Sequence, residues 1–185
     1  MSYSIPINIP NTLTLLRILL TPLFAIFLIR QHFDLALLVF AIAALSDGVD
    51  GLVARLFRQK TTLGSFLDPA ADKLLLVTAF VILAIQELIP SWLTVIVITR
   101  DVLILFGVAL FTITGRTFVP KPSMLSKITT VAQVASVLFV LVKYHSPEIG
   151  RQHIEWPLFW FSAGMTMVSG FQYIYRGLSI LQEEP

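Results

Sequence analysis

The sequence contains no cysteine and few charged residues. Its 185 residues include no Cys, and Asp, Glu, Lys and Arg together make up only 13%. The absence of cysteine excludes disulfide bonds and thiolate metal ligands, so any metal ion must be bound by oxygen or histidine. The net charge is only +2, and no basic patch interleaved with aromatic residues is found. These features argue against a nucleic-acid partner.

The sequence is instead rich in long apolar runs. Hydrophobic residues make up 56% of the chain and the mean hydropathy is +0.85, which is typical of integral membrane proteins. A membrane crossing needs about 20 predominantly apolar residues. Six stretches qualify: Asn11–Ile29, Phe33–Ala54, Phe66–Ile85, Ile89–Thr114, Met124–Val142 and Trp156–Leu181. We therefore predict an all-α, polytopic membrane protein with one domain, residues 1–185, and six transmembrane helices.

The distribution of basic residues predicts the orientation in the membrane. With six crossings, both termini lie on the same side. That side would carry Arg55, Arg58, Lys60, Arg116, Lys121, Lys127 and Arg176, whereas the opposite side would carry Arg30, Lys143 and Arg151. By the positive-inside rule, the side with more basic residues is cytoplasmic.

Four aspartates fall where a membrane helix disfavours charge: Asp47 and Asp50 in the second predicted helix, Asp68 and Asp72 in the third. Each costs about 2.5–3.5 kcal/mol at the centre of a membrane helix, and neighbouring carboxylates also repel one another. Helical spacing puts each pair on one face, and the short loop between the helices makes them antiparallel neighbours. We therefore predict that the carboxylates converge on a hard cation such as Mg²⁺, Mn²⁺ or Ca²⁺, with Mg²⁺ preferred if the ligand carries phosphates.

Small residues accompany these aspartates, namely Gly51, Ala54 and Gly64. They leave room for a bulky group against the backbone. Arg55, at the cytoplasmic end of the same helix face, is placed to contact phosphate or to hold a carboxylate.

Ordinary structural roles are open for several charged residues. Asp68 precedes Pro69, a common pair at the N-cap and first turn of a helix. Asp101 can form a local charge pair with the arginine before it. Two basic side chains are expected to extend to the membrane surface rather than to act chemically: Arg17 and Lys73.

The aspartates and their neighbours form one motif, Asp47-x2-Asp50-Gly51-x2-Ala54-Arg55-x8-Gly64-x3-Asp68-x3-Asp72. Its chance frequency at average residue usage is about 10⁻¹⁰ per start site. The motif resembles the signature of the CDP-alcohol phosphotransferases, also called CDP-alcohol phosphatidyltransferases. Further similarity lies in Ile9-Pro10-Asn11-x-Leu13-Thr14-x2-Arg17, Leu67-Asp68-Pro69-x2-Asp72-Lys73 and Ser126-Lys127-x2-Thr130-x2-Gln133.

This resemblance implies a six-helix fold, usually homodimeric, with a cytoplasm-facing polar cavity inside the membrane. It implies that the four aspartates surround two metal ions, Mg²⁺ or Mn²⁺, and that Asp72 is also the general base. Residues at matching positions would contact the nucleotide and pyrophosphate: Gly51, Ala54, Arg55 and Gly64, with Asn11 as a weaker candidate for the cytidine. The implied reaction transfers a phosphatidyl group from CDP-diacylglycerol to a small or lipid alcohol and releases CMP.

The alcohol acceptor is less well defined. Compact bacterial members with this opening resemble phosphatidylglycerophosphate synthases, whose acceptor is glycerol 3-phosphate, and this acceptor is ranked first for a protein of the bacterial inner membrane. Cations on the cytoplasmic side are candidates to bind it: Arg100, Arg116, Lys121 and Lys127. Arg100-Asp101 and Lys121-Pro122-Ser123 resemble instead the eukaryotic-type cardiolipin synthases, whose acceptor is phosphatidylglycerol.

A cation or proton transporter is the alternative from another class, because intramembrane carboxylates often mark ion paths. A transporter would not need the small residues and Arg55 at these intervals. The sequence also shows no inverted repeat or broken-helix pair.

Overall fold

The structure is a computed structural model that describes the backbone of residues 9–57, 62–113, 123–145 and 155–182. Side chains are described for residues 14–46, 71–110, 123–145, 155–177 and 179. Within these ranges the regular elements are six α-helices, without a β-strand. They are α1 (Ile9–Ile29), α2 (Phe33–Phe57), α3 (Thr62–Ile85), α4 (Ser91–Ile113), α5 (Met124–His145) and α6 (Glu155–Gln182).

The observed helices confirm the predicted all-α class and lie at the predicted positions. The largest difference is at the start of α3, which begins at Thr62 rather than Phe66. Thr62 is of a residue type common at helix N-termini. Because Asp68 and Pro69 lie inside α3, the suggestion that Asp68 caps this helix is wrong.

Two helical segments are long and apolar enough to cross a membrane, judged by length and composition. They are Ser91–Leu110, with a mean hydropathy of 2.2, and Met124–His145, with 1.8. Thr14–Ile29 and Phe33–Ser46 are shorter apolar helical segments, each belonging to a helix whose side chains are described only in part. A membrane protein is therefore supported, and six crossings remain a prediction.

The described contacts fall into two units. The first comprises residues 1–83 and 141–146, and its best-defined feature is the packing of α1 against α2. Over the part of α1 whose side chains are described, one face is buried and consists of residues spaced three and four apart: Thr14, Arg17, Thr21, Phe24 and Leu28. The rings of Phe24 and Phe40 lie 5.4 Å apart between the two helices. The buried face of α1 is therefore polar towards its N-terminal end and apolar towards its C-terminal end.

The second unit comprises residues 84–140 and 147–185. Here α4 packs against α6, and the rings of Trp92 and Trp160 lie 4.7 Å apart. Hydrogen bonds link α5 to α6: Thr129 Oγ1 donates to the Met165 carbonyl (3.0 Å), and Gln133 Nε2 donates to Thr166 Oγ1 (3.1 Å). These buried polar groups hold the two helices in a fixed register.

Candidate active site

The predicted catalytic motif lies on two helices of the first unit. Asp47 and Asp50 are on α2, and Asp68 and Asp72 are on α3. Asp72 is the one of the four whose side chain falls within the described residues. The predicted nucleotide-contacting residues are on α1, α2 and α3, outside the positions whose surroundings are described: Asn11, Gly51, Ala54, Arg55 and Gly64.

The described carboxylate, Asp72, is paired with Arg17. Arg17 Nη1 donates to Asp72 Oδ1 and joins α1 to α3. The Arg17 side chain is 1% exposed, whereas that of Asp72 is 38% exposed. The arginine therefore holds the carboxylate from the protein interior, and the carboxylate stays accessible to a ligand.

The prediction that Arg17 extends to the membrane surface is wrong. Arg17 lies on the buried face of α1 between Thr14 and Thr21, and Thr21 Oγ1 donates to the Arg17 carbonyl (2.9 Å). A buried guanidinium needs an anionic partner, and Asp72 supplies one without the side chain having to reach water. The signal available in the sequence was the helical spacing of the polar residues Thr14, Arg17 and Thr21, which puts all three on one face of α1.

The position of the Lys73 side chain also differs from the predicted one. Its Nζ atom is buried, so the side chain does not extend to the membrane surface. A buried ammonium group needs polar or charged partners close by. The cationic groups of both basic residues that were expected to point outward, Arg17 and Lys73, are thus buried in the protein.

Arg100 is the centre of a separate charged cluster in the second unit. Its Nη1 donates to Asp101 Oδ1 (2.8 Å), and its Nη2 donates to Ser126 Oγ (2.8 Å) and Ser169 Oγ (3.1 Å). The guanidinium carbon also lies 5.6 Å from the centre of the Tyr173 ring. This arrangement confirms the predicted local charge pair between Arg100 and Asp101 and connects α4, α5 and α6 through one buried cation.

An apolar cavity of about 240 Å³ lies beside this cluster, between α4 and α6. Its walls include the aliphatic and aromatic side chains of Ile96, Leu103, Met167, Phe171 and Ile174. Thr99, Arg100 and Thr166 also line the cavity. Because Arg100 already donates to Asp101 and two serines, a phosphate group would lose its hydration there and gain few polar partners. The cavity is therefore unsuited to binding glycerol 3-phosphate.

Two of the four predicted acceptor-binding cations, Arg100 and Lys127, lie within the described residues. Arg100 is 7% exposed and occupied by protein partners, whereas Lys127 is exposed on α5. Arg116 and Lys121 lie outside the described residues. Ser126 and Ser169, which bind Arg100, were missed as partners because a serine in an apolar helix is not distinctive by itself.

The chemistry of the candidate ligands fits a hard divalent cation. The side chains that the structure describes contain no group of three or more His, Asp or Glu residues able to hold a metal ion. Three of the four candidate aspartates are outside that set. All four are carboxylates, and Asp72 is accessible, so the residue types suit Mg²⁺ or Mn²⁺.

Comparison with known proteins identifies the family that the motif predicted. A family model described as CDP-alcohol phosphatidyltransferase matches residues 7–168. The CMP-forming cardiolipin synthase of Homo sapiens is 36% identical over 201 residues, covering 97% of this chain and 65% of the human protein. The chain thus spans slightly less than two thirds of that relative's length.

Two bacterial relatives are also found, one named as a glycerol-3-phosphate phosphatidyltransferase and the other as a cardiolipin synthase. The CDP-diacylglycerol–glycerol-3-phosphate 3-phosphatidyltransferase of Bacillus subtilis is 33% identical over 191 residues, covering 95% of this chain and 97% of that protein. The CMP-forming cardiolipin synthase of Streptomyces coelicolor is 37% identical over 110 residues, covering 56% of this chain and 51% of that protein. Members of this family generally depend on divalent metal ions. The chain belongs to the CDP-alcohol phosphatidyltransferase family.

Proposed function

We propose that this protein is a membrane enzyme of phospholipid biosynthesis that transfers the phosphatidyl group of CDP-diacylglycerol to phosphatidylglycerol, forming cardiolipin and CMP. Phosphatidyl transfer is supported by the family match over residues 7–168 and by the accessible, arginine-paired carboxylate of Asp72. The choice of phosphatidylglycerol over glycerol 3-phosphate rests mainly on one observation, the engagement of Arg100 by three protein partners.

In the proposed reaction, an acceptor hydroxyl attacks the phosphorus atom that carries diacylglycerol. The bond from this phosphorus to the acceptor oxygen forms as the bond to the CMP oxygen breaks. Asp72 takes the hydroxyl proton as general base. Mg²⁺ or Mn²⁺ at two sites among Asp47, Asp50, Asp68 and Asp72 would neutralise the pyrophosphate oxygens when bound.

The nucleotide end of the donor is proposed to lie along the motif. Gly51, Ala54 and Gly64 lack large side chains, which allows the cytidine and pyrophosphate to approach the backbone. Arg55 is proposed to contact a phosphate, and Asn11 to contact the cytidine.

The acceptor assignment follows from the state of Arg100. Glycerol 3-phosphate carries a phosphomonoester, and a site for it requires cationic donors that are open to the ligand. In the described part of the chain, Arg100 instead donates to Asp101, Ser126 and Ser169. Of the two segments that resemble cardiolipin synthases, Arg100-Asp101 is therefore engaged within the protein, and Arg100 is bonded to Ser126, three residues after the end of Lys121-Pro122-Ser123. This engagement of Arg100 supports phosphatidylglycerol, although the opening of the sequence resembles the phosphatidylglycerophosphate synthases.

Glycerol 3-phosphate is the second candidate because the Bacillus subtilis relative, named for that acceptor, matches along 97% of its own length. Arg116, Lys121 and the exposed Lys127 would then have to supply the cationic contacts.

The donor and product are lipids, so a membrane location is part of the proposal. The apolar segments Ser91–Leu110 and Met124–His145 support it. We further propose six crossings, a cytoplasm-facing polar cavity with both termini on the cytoplasmic side, a homodimer, and a location in the bacterial inner membrane. Charge distribution and resemblance to the family support these features.

The test of the proposed function is a transfer assay with purified protein in detergent. CDP-diacylglycerol and Mg²⁺ are supplied with either phosphatidylglycerol or glycerol 3-phosphate, and both CMP and the lipid product are identified. Cardiolipin formation with phosphatidylglycerol supports the proposal. Product with glycerol 3-phosphate alone would make the second candidate correct, and absence of CMP with either acceptor would contradict phosphatidyl transfer.

A further inference from the structure

We propose that Arg17 is a positioning residue for Asp72, holding the carboxylate in the orientation needed to accept the acceptor's proton. The inference rests on the proposed function, in which Asp72 is the general base. It adds a residue from α1 to a site whose predicted acidic residues all come from α2 and α3.

The geometry supports a directional role for Arg17. Its guanidinium reaches Asp72 across 55 positions of sequence through Nη1 and Oδ1. The Arg17 side chain is almost wholly buried, whereas Asp72 is more than one-third exposed. A contact from the buried side fixes the carboxylate and leaves its accessible side for substrate.

Arg17 lies on a helix that packs closely against α2. Further along the same buried face, Phe24 is completely buried against Phe40 of α2. The guanidinium is therefore carried by a packed helix pair, and a carboxylate tied to it has less freedom to rotate.

The residue type at position 17 also favours a positioning role. A guanidinium is planar and permanently charged, so it fixes the direction of a carboxylate better than the flexible, compact ammonium group of lysine. If Arg17 only neutralised the charge of Asp72, lysine would serve equally well. If Arg17 positions Asp72, lysine should restore only part of the function.

If the ion pair between Arg17 and Asp72 were only structural, a different result would be expected. Loss of a structural contact lowers stability and the yield of folded enzyme, but folded molecules keep their turnover rate. Loss of a positioning contact lowers kcat in folded molecules and leaves KM for CDP-diacylglycerol nearly unchanged, because the donor is held by other residues.

The experiment compares wild type, Arg17→Gln, Arg17→Lys and the control Thr21→Val, which removes a buried hydroxyl one turn away on the same face. For each, kcat, KM for CDP-diacylglycerol and melting temperature in detergent are measured. We expect kcat to fall about 100-fold in Arg17→Gln, a loss typical of a misplaced catalytic group, with KM within about threefold of wild type. Arg17→Lys should have a kcat about tenfold below wild type, and Thr21→Val should keep the wild-type kcat.

A kcat in folded Arg17→Gln within about threefold of wild type would overturn the inference, whatever the change in melting temperature. If Arg17→Gln does not fold, Arg17→Lys decides: a reduced kcat at unchanged KM supports positioning, and a wild-type kcat overturns it. If wild-type protein itself releases no CMP, the proposed function fails. If wild type is active and the Arg17 variants are equally active, this inference alone fails.

Discussion

Arg100 and Asp101 are consecutive residues on α4, and their side chains form an ion pair with an Nη1–Oδ1 distance of 2.8 Å. Consecutive helical residues point about 100° apart, so the two side chains must bend towards each other. A second nitrogen of the guanidinium, Nη2, donates to serines on α5 and α6. One buried cation thus satisfies a carboxylate and ties three helices together.

Replacing Arg100 by leucine should strongly destabilise the protein. Asp101 is 13% exposed and would be left without its cation, and breaking a buried pair in this way costs about 3–5 kcal/mol. The free energy of unfolding in detergent, measured by chemical denaturation, provides the test. Lys127→Gln, at an exposed position, is the matched control. This substitution should change the free energy of unfolding by less than about 0.5 kcal/mol.

Two further outcomes bear on the Arg100 pair. The double variant Arg100→Leu/Asp101→Leu should be more stable than Arg100→Leu alone, because the carboxylate that Arg100 neutralised is removed with it. If Arg100→Leu and Lys127→Gln unfold at the same denaturant concentration, the network does not support the fold.

Thr129 and Thr130 provide a paired test of helix association. Thr129 Oγ1 shares its proton between the Leu125 carbonyl on its own helix (2.8 Å) and the Met165 carbonyl on α6 (3.0 Å), whereas Thr130 Oγ1 is bonded to the Ser126 carbonyl on its own helix. Thr129→Val should therefore lower the free energy of unfolding by about 0.6–1.7 kcal/mol, the range found for hydrogen bonds between membrane helices. Thr130→Val should have a smaller effect, and equal losses in the two variants would contradict the role of the bond to α6.

The sequence predicted the helices well because apolar runs and polar breaks determine where membrane helices form. The loop around Gln31 and His32 marks the end of α1, and the polar segment around Glu87 precedes α4. The start of α3 was placed too late, because the predicted span was marked by its apolar run, which begins at Phe66. The helix itself begins four residues earlier, at Thr62.

The partners of the charged residues were harder to predict. The Arg100–Asp101 pair is local and could be expected from adjacency alone. Arg17 meets Asp72 across 55 positions, and such a contact depends on how α1 and α3 are arranged. Arg17 was therefore expected to extend to the membrane surface, as a lone arginine near a span end commonly does.

Replacing Asp72 by asparagine should remove turnover while leaving the protein folded. The amide cannot accept the acceptor's proton as a carboxylate does, and general-base loss typically lowers kcat about 10²- to 10⁴-fold. The amide oxygen can still accept from Arg17. Asp34→Asn, on an exposed residue in the first turn of α2, is the control for loss of one carboxylate. Near-normal kcat in Asp72→Asn would mean that another residue is the base.

The proposed metal site predicts an altered metal requirement in motif variants. Asp47→Asn removes one carboxylate from the proposed ligand set, and the Mg²⁺ concentration for half-maximal activity should rise at least about tenfold. The measurement is CMP release across a Mg²⁺ titration, again with Asp34→Asn as control. An unchanged requirement in Asp47→Asn would exclude this residue as a metal ligand.

The most direct measurement of the central claim is CMP release from CDP-diacylglycerol by the wild-type protein, with phosphatidylglycerol present, before and after chelation by EDTA. We predict CMP and cardiolipin in equal amounts with Mg²⁺, no release after chelation, and recovery when Mg²⁺ is added back. CMP release that continues unchanged in EDTA, or no release in any condition, would contradict metal-dependent phosphatidyl transfer by these carboxylates.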